Sequence, residues 1–96
     1  MRVRYTVRAR FDLDAIYQYL DQRSPTGAKS VKRAIERRIR YLATIPFIAP
    51  SAGGSSVYEL TIIRYPYKVY YRVVKDEVQI LHIRHTSRKQ PAINEL

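Results

Sequence analysis

Ala28, Val31, Ile35, Ile39 and Leu42 recur at helical spacing for about five turns, while the opposite face carries Lys29, Lys32, Arg33, Arg37 and Arg40 against a lone acid, Glu36. A helix with so narrow an apolar stripe is marginal alone in water and needs a second layer to cover it. Its limits are marked. Ser24 is suited to the N-cap and Pro25 to the first helical position, where the missing N–H does no harm. Pro46 ends the segment. Immediately upstream, "ARFDLDAIYQYLDQR" (9–23) sets Ala9, Leu13, Ile16, Tyr17 and Leu20 on another apolar stripe, with Asp12 and Asp14 in its first turns, where negative charge suits the helix dipole. Two such helices separated by a few residues predict an antiparallel hairpin.

Elsewhere the apolar period is that of a strand. "RVRYTV" (2–7) alternates, and "VYELTIIR" (57–64), "YKVYYRVV" (67–74) and "EVQILHIR" (77–84) predict three more strands. Only Lys75 and Asp76 separate the last two, which predicts a tight hairpin, and Pro66 interrupts the connection before them. "FIAPSAGGSS" (47–56) has the composition of a flexible loop, and the polar tail is expected to be flexible from about residue 91. The order is β-α-α-β-β-β. It predicts an α+β fold over residues 1–96 as one domain, with the helical hairpin packed on a twisted antiparallel sheet.

A layer of that kind leaves one sheet face and one helix face to solvent, and charge says what meets them. Eighteen Lys and Arg stand against eight Asp and Glu, a formal +10, and thirteen of the eighteen are Arg. So strong a field on a small domain costs stability through self-repulsion and attracts an anionic partner. No cysteine is present, which excludes disulfides and thiolate metal sites, and no apolar run is long enough to span a bilayer. The chain therefore reads as soluble and cytoplasmic, without membrane contact. His82 and His85 are the two histidines, and their odd spacing on one strand puts them on opposite faces, where they cannot share a metal ion. No glycine-rich phosphate loop and no paired carboxylates at acid–base spacing are present.

Basic and aromatic residues remain. In 67–74, Tyr67, Val69, Tyr71 and Val73 form a core-like set, while Lys68, Tyr70 and Arg72 share the other face. That second set fits a surface where a tyrosine stacks on a base and cations hold phosphates. A solvated sheet face shielded by Tyr70 would show the same pattern.

Taken in order, "VRYTVRARFDLDAIYQYL", "SPTGAKSVKRAIERRIRYLATIP", "VYELTIIRYPYKVYYRVV" and "VQILHIRHTSR" resemble the ParE/RelE toxin superfamily of type II toxin–antitoxin systems, ParE-type toxins above all. The first piece carries an Ala-x-x-Asp-Leu-x-x-Ile-x-x-Tyr helix (Ala9, Asp12, Leu13, Ile16, Tyr19), and His85 and Arg88 match the family's closing motif. Tyr58 is a departure, standing where many relatives carry arginine before Glu59–Leu60.

The resemblance implies a toxin of a plasmid-stabilisation system that inhibits DNA gyrase, has no catalytic residue and no cofactor, and is neutralised by a cognate antitoxin in a toxin–antitoxin hetero-oligomer. Target-contact candidates are Lys68, Tyr70, Arg72, Arg84, His85 and Arg88. Antitoxin-binding candidates are Arg33, Arg37, Arg40, Tyr17 and Leu20. The alternative is a RelE-like, metal-independent endoribonuclease acting on mRNA in the ribosome, with Lys68, His85 and Arg88 as its catalytic set. A nontoxic remnant that keeps only antitoxin binding is a third reading. The loop 47–56 carries no cation, which counts against the nuclease.

Overall fold

The computed structural model describes residues 1–54 and 56–86. Their order is β1 (Arg2–Tyr5), α1 (Val7–Asp21), α2 (Pro25–Tyr41), β2 (Tyr58–Thr61), β3 (Tyr67–Val74) and β4 (Glu77–His85). The four strands form one sheet in the order β1-β4-β3-β2, with the helical hairpin on one face. The tail beyond Thr86, including the segment from about residue 91, lies outside the described residues.

The expected α+β order holds, but the sheet is mixed. β2–β3 and β3–β4 are antiparallel, whereas β1 pairs parallel to β4, from Arg2↔Glu77 to Tyr5↔Ile80. The parallel edge follows from the connectivity: the two helices carry the chain from β1 to β2 at the far edge of the sheet, and two antiparallel reversals, β2 to β3 and β3 to β4, then bring β4 back beside β1 in the same direction.

Helix α1 starts earlier than its apolar period suggests. Thr6 is not a strand residue but the N-cap: its Oγ1 accepts from Ala9 N at 3.1 Å and donates to the Ile80 carbonyl at 2.7 Å. Asp12 and Asp14 therefore fall outside the first turn, and the helix-dipole role expected of them does not apply. Helix α2 begins as expected, with Ser24 Oγ accepting from Gly27 N at 3.1 Å and Pro25 at N1.

The core lies between hairpin and sheet. Leu13, Val31, Ile35, Ile39 and Leu42 meet Leu60, Ile62, Val69, Tyr71, Val78, Ile80 and Ile83, while Ile16, Leu20 and Val73 pack at its margin. Tyr71 anchors the far end by donating its hydroxyl to the Pro46 carbonyl at 2.7 Å. The described residues of segment 47–56 are not the free loop that its composition predicts. Ala49 and Ala52 are buried, Ala52 N donates to Val57 O at 2.7 Å and Glu59 N to Pro50 O at 3.0 Å. Alanine is small enough to let this backbone lie against the β2 edge and partly cover it.

Candidate functional site

The face of the sheet turned away from the helices collects the polar side chains of β2, β3 and β4. Glu59 lies opposite Tyr70, Lys68 opposite Arg84, and Tyr70 opposite His82. The Lys68 ammonium sits 2.6 Å from Glu59 Oε1, and this hydrogen-bonded carboxylate holds its pKa above the ordinary lysine value. Tyr70 is only 4 % exposed, its ring stacked on that of His82 at 6.2 Å. Burial, reinforced by the charge of Glu59, pushes its phenol up. The expected stacking platform is thus closed from above, since Tyr70 already stacks within the protein. Arg72 is exposed farther along, donating from Nε to Gln79 Oε1 at 2.8 Å.

Next to this face lies a cluster that the sequence did not announce. β1 ends at Tyr5, so β4 runs on past it with an open edge, and α1 fills the gap. A bulge makes this geometry. Tyr70 pairs with His82 and Tyr71 with Ile80, leaving Leu81 without an opposite residue. The alternation of Val78 and Ile80 therefore resumes with Ile83 in the core, and His82 turns to the other face beside Tyr70.

Asp12 reaches this edge from α1. Its Oδ2 accepts from Ile83 N at 3.1 Å and pairs with His82 Nδ1, while Oδ1 lies 3.5 Å from Arg8 Nε. On the far side of the ring, Arg84 Nη1 is 3.3 Å from His82 Nε2. Burial holds the His82 pKa below the ordinary histidine value despite the opposing pull of Asp12, with Arg8 and Arg84 adding to the depression. The imidazole is therefore neutral at neutral pH, and with Asp12 accepting at Nδ1–H, Nε2 is left to accept from Arg84.

A cleft of about 420 Å³ opens over this edge, lined by Arg8, Asp12, Tyr19, His82, Arg84 and His85 among others. His85 is half-buried and meets the Tyr67 ring edge-on at 5.2 Å, on the face opposite His82. Arg88 lies outside the described residues. Of the target-contact candidates, Lys68, Tyr70 and Arg84 converge, His85 faces the cleft from the other side, and Arg72 stands apart. Among the described residues, no three His, Asp or Glu side chains converge as metal ligands, and no helix is long and apolar enough to cross a membrane.

The antitoxin-binding candidates are dispersed over the hairpin. Tyr17 is half-buried beneath Lys32, whose Nζ is 5.1 Å from the ring centre, and Leu20 packs against the core margin. Arg33 and Arg37 line a separate cleft toward the β2–β3 connection, which Arg40 does not reach. Tyr58, the residue departing from the familial arginine, stacks on Tyr71 at 5.4 Å and meets Phe47 edge-on at 5.7 Å.

Residues 3–90 match a family model described as "ParE toxin of type II toxin-antitoxin system, parDE". A curated protein of Sinorhizobium fredii (strain NBRC 101917 / NGR234), described as "Putative toxin Y4kP", is 32 % identical over 92 residues, covering 96 % of this chain and 95 % of that protein. A solved structure, "Chromosomal ParDE TA system from P. aeruginosa", superposes with a TM-score of 0.81 at 28 % identity, covering 91 % of this chain and 97 % of that one.

Proposed function

The chain belongs to the ParE toxin family of type II toxin–antitoxin systems, with an antitoxin as its partner, and from that premise we propose that it acts by inhibiting DNA gyrase rather than by cutting mRNA. The observation that carries the choice is the ParE-type match over residues 3–90. The state of Lys68 supports it. A metal-independent nuclease needs cations free to meet the charge that develops on the scissile phosphate, whereas the Lys68 ammonium is held at 2.6 Å by Glu59. Beside it, Tyr70 is closed off against His82. Arg84 and the neighbouring rim of the cleft form the surface assigned to the target, with the exposed Arg72 farther along the same sheet face.

Purified protein should inhibit gyrase supercoiling and leave mRNA on translating ribosomes intact. Codon-positioned cuts that vanish in Lys68→Ala or Arg88→Ala would overturn the proposal in favour of the nuclease.

A further inference from the structure

Between α2 and the β2–β3 connection lies a cleft of about 450 Å³ lined by Arg33, Arg37, Arg38, Arg64, Ile63 and Tyr65 among others. Four arginines line it, and among the described residues none of the four has an acidic partner. The ion pairs there use Arg2, Arg4, Arg8, Lys68 and His82 instead. Arg38 is the most telling of them. Its Nε is buried and has no hydrogen-bond partner. A buried donor of a charged group left unpaired carries a desolvation penalty that an incoming acceptor would remove.

The connection itself adds to the case. Arg64 has φ of 84°, the left-handed region that glycine occupies without cost, yet the position holds a long cation directed at the same cleft. Ile63 beside it is 69 % exposed, and Ile62 beneath is buried. The cleft is therefore lined by four cationic residues and an exposed apolar side chain within one concavity.

We infer that this cleft receives a carboxylate borne next to a large apolar side chain on the antitoxin, so that an Asp or Glu pairs with Arg38 and Arg64 while its neighbour covers Ile63. The inference rests on the toxin reading in so far as it names the antitoxin as the peptide's source. A nucleic acid fits less well. Phosphates are bound by cations spread along an exposed track, whereas here the cations line a single cleft and share it with an apolar wall. A carboxylate matches the arginine fork in two parallel hydrogen bonds and brings the single charge the cleft lacks.

The test uses the full chain, the antitoxin encoded beside it, a fluorescein-labelled Glu-Leu-Glu-Leu peptide and labelled oligo-dT. Arg38→Gln removes the cation with the buried Nε, and Arg64→Gly removes the other with a residue suited to that backbone, so one variant stays folded if the first does not. Lys29→Gln is the charge-matched control, since Lys29 is on α2 but does not line this cleft. Both cleft variants should bind antitoxin about tenfold or more weakly, chiefly through faster dissociation, and the control within about twofold of the parent. The Arg38 Nε–H resonance should shift when the peptide is added. Gyrase inhibition by the free variants should persist, so loss of antitoxin binding in a chain that never inhibits gyrase would sink the proposed target and leave this site standing. Unchanged antitoxin affinity in both cleft variants would overturn the inference. So would oligo-dT binding that the two variants abolish while the peptide fails to bind.

Discussion

Replacing Asp12 with alanine strikes the tie between α1 and the open edge of β4. Two donors lose their acceptor: Ile83 N–H at 3.1 Å and the Nδ1 of His82, a side chain only 3 % exposed. The third contact, Arg8 at 3.5 Å, joins an exposed side chain and is worth little. A hydrogen bond to a charged group contributes about 1.5–3 kcal/mol, and a buried donor left unpaired costs a similar amount. Part of that is offset because the carboxylate no longer has to be desolvated. The net loss should be about 3 kcal/mol, or roughly 15 °C in Tm for a chain of this size. Asp12→Asn keeps one acceptor and should lose about half as much.

Urea denaturation at pH 7.5 measures both variants, and repeating it down to pH 5.5 tests the electrostatics. Because the folded His82 pKa lies below its unfolded value near 6.5, the unfolded chain takes up a proton that the fold resists. The stability from this group is complete above about pH 6.5 and is lost as pH falls toward the folded pKa. His82→Gln, which can still donate to Asp12 but does not titrate here, should lack that slope. A loss below about 1 kcal/mol in Asp12→Ala would refute the packing argument. Parental stability that rises, relative to His82→Gln, as the solution is acidified would refute the neutral-histidine assignment.

Two further outcomes test the frame around the site. Ile35 is fully buried between hairpin and sheet, so Ile35→Ala should cost about 2–5 kcal/mol in denaturant titration; an unchanged midpoint would show that α2 has been given the wrong inward face. Glu77 accepts hydrogen bonds from Gln79, Arg4 and Arg2, which hold its carboxyl down to about 2. This clamp on β1 is present above the ordinary glutamate range and is lost only as pH falls toward about 2, so Glu77→Gln at neutral pH should speed amide exchange in Arg2–Tyr5 while leaving β3 protected.

What could be read in the sequence was what is local. Ser24 and Pro25 mark their helix start by their own chemistry, and the alternation in 67–74 gives β3 at its observed limits because every second side chain enters the core. Thr6 misleads because its place in the Arg2–Val7 alternation is that of a strand residue, whereas its hydroxyl is bound to Ala9 and Ile80. Composition alone made 47–56 a loop, since burial of Ala49 and Ala52 depends on a β2 edge that no local pattern reveals. The Asp12–His82 pair spans 70 residues and needs the Leu81 bulge to turn the imidazole outward, so strict alternation points away from it. Arg33 and Arg37 could be picked out from the basic helix face, but the two cations that complete their cleft, Arg38 and Arg64, have no shared periodicity with them.

The parallel pairing of the first strand with the last also sets an order of events. Arg2 finds Glu77 across 75 residues, so during synthesis β1 waits with both edges bare until β4 has emerged. The hairpins α1–α2 and β3–β4 join near neighbours and can form early, while closing β1 onto β4 carries the largest loop entropy in the sheet. Thr6, Asp12 and Glu77 all act at that late seam. The nascent chain thus assembles its Asp12–His82 edge only when translation of the sheet is complete.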